Sequence, residues 1–254
     1  MEIVCQYDKE LEKFLVAIVE YTLNKYGAEL NLQNLKQIEL MHISEFDIEK
    51  DGSTYDNGTM IVVTSRLYDM LPNYNIKELV NNDNFKMLIN TMYHEMGHVS
   101  DWIKYPKIYA EAETGQEMEK VLPSLFWLEF LAEVRSCNAE GSNVDEFCTQ
   151  FVQRQWHSYK NDLSLIDESN FFYLNKLLPY FIARTKTDGG KKYLIEIKNS
   201  LLREYIDSLV EELDRLENNL PFDDVNMLEN LYDIMNEYYK KFKSRFKPVF
   251  GRIF

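Results

Sequence analysis

His94-Glu95-Met96-Gly97-His98 carries residue types at a spacing that could do chemistry. On a helix, side chains four residues apart stand one above the other on the same face, so His94 and His98 could grip a single ion between their rings. Imidazole nitrogen suits the borderline-soft zinc ion at roughly 2.0 Å. Glu95, one residue round the helix, would reach a water on that ion without binding the metal itself, which is the place of a general base. With 4 histidines in 254 residues, a shuffled chain of this composition would contain the pattern about once in two hundred. The competing reading is a pair of ordinary surface or core histidines, which is what most isolated histidines are.

A catalytic zinc usually takes three protein ligands and keeps a position for water, so a further donor is expected elsewhere in the chain. Trp127-Leu128-Glu129-Phe130-Leu131-Ala132-Glu133 sets two carboxylates one helical turn apart in an otherwise apolar run. Like charges buried there without a cation would be costly. With zinc and its histidines nearby, one glutamate can bind the metal while the other accepts the free N–H of an imidazole. A solvated stripe carrying both glutamates is the alternative.

These two segments, His94 to Asp101 and Glu129-Phe130-Leu131-Ala132-Glu133, resemble the gluzincin metallopeptidases, and locally the catalytic domains of anthrax lethal factor and the Pro-Pro endopeptidases. The resemblance covers only these two helices. It implies a zinc-dependent hydrolase acting on a peptide or protein substrate, with His94, His98 and Glu129 as metal ligands, Glu95 as general base and Glu133 orienting a histidine. It also implies that Ala132 is a small residue letting two helices approach, and that an edge strand before the metal helix pairs with extended substrate; Met60 to Val63 is the candidate segment, with a plain core strand as the equal alternative. Such relatives carry an oxyanion-stabilising tyrosine shortly before the ligand glutamate, whereas this chain has Leu122-Pro123-Ser124-Leu125. Tyr105, Tyr109, His157 and Arg135 are left as sources of that contact, with an ordinary packing or surface role the favoured reading for each tyrosine. Asp101 is expected to cap a local backbone group rather than orient His98, and His42 and His157 to be structural.

The elements that would position these residues follow from periodicity. Leu11, Phe14, Leu15, Ile18 and Val19 predict a helix over Asp8 to Tyr26, with Gly27 at its C-terminal cap. Ile38 to Ile43 and Thr59 to Thr64 read as strands, separated by turn-prone Asp51-Gly52 and Asn57-Gly58. From Asn82, Phe85, Leu88, Ile89, Met92, Met96 and Val99 recur at helical spacing and carry the histidine motif. Tyr105 to Val121 reads as a polar loop leading into a buried helix, Leu122 to Cys137. Further on, Leu202 to Leu220 and Leu228 to Phe242 step by three and four around Asn218-Asn219-Leu220-Pro221, predicting an antiparallel helical hairpin. The fold class expected is α+β, predominantly helical: a zincin-like core over residues 1–157, then a helical C-terminal region over 158–254, with a soft boundary.

Composition narrows the partners. The 42 acidic against 28 basic side chains leave a net charge of −14, which opposes binding to nucleic acid. No run approaches the length of a membrane helix, and Met1 to Cys5 lacks the features of a signal peptide, so a cytoplasmic protein without membrane partners is expected. Cys5, Cys137 and Cys148 are too scattered for a disulfide framework or a thiolate metal site. The basic run Lys240, Lys241, Lys243, Arg245 and Lys247 reads as favourable charge at a helix C-terminus. The alternative to an enzyme is a catalytically silent zincin-like binding module acting through its acidic helical C-terminal half.

Overall fold

The computed structural model describes residues 1–45, 51–137, 139, 141–159 and 168–244. These form a small mixed sheet and a larger set of helices, an α+β and predominantly helical architecture. The chain divides into two compact units, Met1–Ala110 with Ala132–Asn143, and Glu111–Leu131 with Val144–Phe254.

The first unit is built on four strands: β1 (Glu2–Cys5), β2 (Gln37–Met41), β3 (Gly52–Tyr55) and β4 (Met60–Thr64), in the order β1-β2-β4-β3. β1, β2 and β4 are parallel and β3 runs antiparallel to β4. Ile38 pairs with Ile61 and Leu40 with Val63, so these alternate residues share one face, and all four are buried. β4, with residues Ile61 to Thr64 all buried, has the β-branched content of an interior strand. Met60 to Val63 is therefore not an edge strand: the outer place belongs to β3, which the turn signal at Asp51-Gly52 concealed. The connection from β3 to β4 has positive φ at Asp56, Asn57 and Gly58, where the short polar residues and glycine tolerate the left-handed region.

Helix α1 (Lys9–Tyr26) starts where the Asp8 side chain accepts from the backbone N–H groups of Glu10 and Leu11, an N-cap worth about 1 kcal/mol. Gly27 follows, but with a right-handed φ of −65° that opens a 3-10 turn rather than a left-handed cap. Two one-turn helices, α2 (Arg66–Asp69) and α3 (Ile76–Leu79), lead to α4 (Asp83–Lys104), capped by the Asn82 side chain. Leu15, Ile18, Ile38, Leu40, Ile61, Val63, Phe85, Leu88, Met92 and Met96 share one core. α4 thus packs beneath the sheet and is buried on almost every side from Leu88 to Asp101.

Tyr105 to Val121 is largely helical, not a loop: α5 spans Pro106–Thr114 and α6 spans Met118–Cys137. Pro106 opens α5 at a position that needs no N–H, and Pro123 lies early in α6. α6 runs without a break from Met118 to Cys137.

The second unit adds α7 (Val144–Tyr159), α8 (Glu168–Thr185), α9 (Lys191–Glu196), α10 (Ser200–Asn218) and α11 (Glu229–Ser244). Tyr205 stacks on Tyr238, and Asn230 Nδ2 donates to Glu212 Oε2 at 2.7 Å. Partner numbers thus fall along α11 as they rise along α10, so the pair is antiparallel. Its connection is longer than a tight turn and contains a 3-10 segment, Val225–Leu228. Leu209, Leu213, Leu216, Leu231 and Met235 fill the seam. Arg245 and Lys247 of the basic run lie outside the described residues. No helix among the described residues is long and apolar enough to cross a membrane. Leu213→Ala should lower stability by about 2–5 kcal/mol, measured as a shift in the chemical denaturation midpoint.

Candidate metal centre

α4 presents His94, Glu95 and His98 on adjacent turns, each only 7 % exposed. His94 Nε2 and His98 Nε2 face each other at 3.1 Å. The nitrogens that point away are also engaged: His94 Nδ1 lies 3.3 Å from Glu133 Oε2, and His98 Nδ1 lies 2.9 Å from the Tyr109 hydroxyl. An ionised carboxylate only accepts, so the Glu133 contact calls for a proton on His94 Nδ1, and in the neutral ring Nε2 is then the lone pair. Two zinc–nitrogen bonds of about 2.0–2.1 Å at a tetrahedral angle hold their donors about 3.3 Å apart, within a few tenths of an ångström of the observed separation. The donor set therefore fits a metal.

Glu129 completes the group. One ligand atom from each of His94, His98 and Glu129 lies within 4.8 Å of the others, so these residues could hold a metal ion. Glu129 stands one turn before Glu133 on unbroken α6. The helix geometry that brings Glu133 to His94 thus fixes the register of Glu129 as well. Glu133, 2 % exposed, is held by Ser136 Oγ, which donates to Oε2, and by Cys137 Sγ, which donates to Oε1, both at 3.3 Å. α6 is further tied to α4 where Asn90 Nδ2 donates to the Ser136 carbonyl at 2.8 Å. Ser136, Cys137 and Asn90 carry no motif signal, and their roles emerge only when the helices pack.

Glu95 is oriented from the sheet. Thr54 Oγ1, on β3, donates to Glu95 Oε2 at 2.8 Å. A Cβ at Gly52 would lie 2.9 Å from Glu95 Cγ, so the absence of a side chain lets the outer strand press against the carboxylate. Gly97, inside the motif, has a related purpose. A Cβ there would sit 2.2 Å from Arg135 Nη1, because the end of the guanidinium packs against the helix at that point.

Arg135 Nη2 donates to both oxygens of Asp101, at 2.6 and 2.8 Å. Burial works to depress the Arg135 pKa, but the adjacent Asp101 carboxylate more than reverses this and holds the guanidinium above its ordinary value. Asp101 therefore neither orients His98 nor caps the backbone with its side chain: it neutralises a buried arginine.

Of the residues considered for an oxyanion contact, Tyr109 stands behind the His98 ring and Arg135 is committed to Asp101. Tyr105 is buried, with its pKa raised mainly by that burial, and the His157 side chain lies outside the described ones. A different phenol reaches the Glu129 carboxylate: Tyr180, on α8, donates to Glu129 Oε2. A separation of fifty-one residues between them, in a chain with 17 tyrosines, offered no signal for it. His42 is exposed just beyond β2 and exchanges hydrogen bonds with Ser44.

No family model, no curated protein and no solved structure matches this chain. Arg135→Ala should destabilise the fold by about 3–5 kcal/mol by stranding the buried Asp101 charge. In a double-mutant cycle with Asp101→Ala, the paired loss should be markedly smaller than the sum of the single losses.

Proposed function

We propose that this protein is a zinc-dependent metallopeptidase in which His94, His98 and Glu129 bind the ion and Glu95 is the general base. The observation that carries the reading is the pair of Nε2 atoms 3.1 Å apart, each on a ring whose other nitrogen already has a partner, with a Glu129 carboxylate oxygen within 4.8 Å of a ligand atom of each. A shared cation satisfies two lone pairs held in that way. The donor set of two imidazoles and a carboxylate is one that suits zinc.

Zinc bound here would bring the pKa of a bound water towards about 7 and polarise the scissile carbonyl. Glu95, steadied by Thr54, takes the proton from the attacking water and returns it to the leaving amine. Glu133 keeps His94 in the tautomer that ligates through Nε2. Tyr180, whose hydroxyl donates to Glu129, is the phenol that would donate to a developing oxyanion. β3 is the outer strand, and an extended peptide added along it would lie next to Glu95, bound by main-chain hydrogen bonds. Substrate would then lie on the strand whose Thr54 donates to Glu95.

Purified protein should contain one zinc per chain, lost in Glu129→Ala and retained with about 10- to 100-fold weaker affinity in Glu133→Ala. Glu95→Gln should keep zinc and fold while abolishing cleavage of a peptide library followed by mass spectrometry. Undiminished turnover by Glu95→Gln would reject its role. A fully zinc-loaded wild type that cleaves nothing would point instead to a catalytically silent module working through its acidic helices.

A further inference from the structure

Gly52 and Thr54 are alternate residues of β3, so they share one face of the strand, and both meet Glu95 of α4. Gly52, which reads in the sequence as half of a turn signal, is the more informative of the two. A glycine inside a strand weakens it, and is explained either by a left-handed φ or by close approach of another group. The first reason does not apply, since the glycines of positive φ among the described residues are Gly58 and Gly141. The second does. A Cβ on Gly52 would lie 2.9 Å from Glu95 Cγ, 3.1 Å from Glu95 Oε1 and 3.1 Å from Thr91 Cγ2, one helical turn earlier. Thr54 acts on the other oxygen. Its hydroxyl has one hydrogen to give, and Oγ1 lies 2.8 Å from Glu95 Oε2 against 3.2 Å from the Glu95 carbonyl, so the carboxylate takes it.

We infer that Gly52 and Thr54 are positioning residues that together set the rotamer of Glu95 and make its two oxygens unequal. The hydroxyl anchors Oε2, and the missing side chain keeps room beside Oε1, which is thereby the oxygen that takes and returns the proton. Neither residue exchanges that proton; both act through the carboxylate. A general base contributes only within hydrogen-bond reach of the proton it removes, and a misplacement of about 1 Å costs about 100-fold in rate. The glycine is thus kept at residue 52 for the placement of the base and not for the backbone of the strand. This deepens the proposed peptidase reading and rests on it.

The experiment uses the full-length chain loaded with zinc and a peptide that the wild type cleaves. Thr54→Val, close in shape but without the hydroxyl, and Gly52→Ala should each lower kcat about 10- to 100-fold, with KM and zinc content within about twofold of wild type. Thr54→Ser, which keeps the hydroxyl, should recover most of that loss. Crystal structures of Thr54→Val and Gly52→Ala should show the Glu95 carboxylate displaced and the rings of His94 and His98 in place. Wild-type kcat in Thr54→Val or in Gly52→Ala overturns the inference. So does a Thr54→Ser chain as impaired as Thr54→Val, or a fall in kcat matched by loss of zinc. Should Gly52→Ala fail to fold, the two Thr54 variants decide the matter, since neither adds a heavy atom. A wild type that takes up no zinc or cleaves no peptide overturns the peptidase reading, and this inference with it, a result distinct from all of these.

Discussion

Two imidazole lone pairs cannot be held face to face in a buried space unless something positive lies between them. In this protein one turn of helix brings His94 Nε2 and His98 Nε2 to 3.1 Å, and Glu133 on a distant helix keeps His94 from turning its protonated nitrogen inward. A proton on His98 can satisfy the pair, and so can a metal ion.

That constraint accounts for features that look unrelated when taken singly. Glu133 is itself restrained by Ser136 and Cys137, so the carboxylate stays on the imidazole. Gly97 lacks a side chain where the Arg135 guanidinium crosses the helix, and Asp101 supplies the charge that makes burying that guanidinium tolerable. Glu95 is gripped from the sheet side by Thr54 and crowded by the backbone at Gly52. α4 is therefore pinned by charge on one side and by a strand on another, which suits a helix whose ring orientations must be held to tenths of an ångström.

The chemistry-bearing residues were legible in the sequence because their spacing is local. His94 and His98 sit on consecutive turns of one helix, with Glu95 one residue round from His94, and Glu129 and Glu133 on consecutive turns of another, so helical periodicity alone puts each i, i+4 pair on one face. β2 and β4 were legible for a similar reason: Ile38, Leu40, Ile61 and Val63 lie in β-rich runs. β3 was not, since Gly52-Ser53-Thr54-Tyr55 has no apolar alternation and takes its strand conformation from pairing with β4. The helical state of residues 106–121 was hidden by Pro106 and Gly115, which punctuate helices here at an end or between them rather than preventing them.

What the amino-acid order by itself determined is which groups could act: a helical pair of imidazoles, a carboxylate beside them, and a second helix bearing two more. Tertiary structure alone decided what stands behind each of those groups, namely that Glu133 meets His94, that Tyr109 meets His98, that Thr54 holds Glu95 and that Tyr180 meets Glu129. The physical reason is range. Periodicity within a helix is set by backbone geometry over a few residues, whereas these partners lie 11 to 51 residues away and meet only because apolar faces elsewhere had to be buried together.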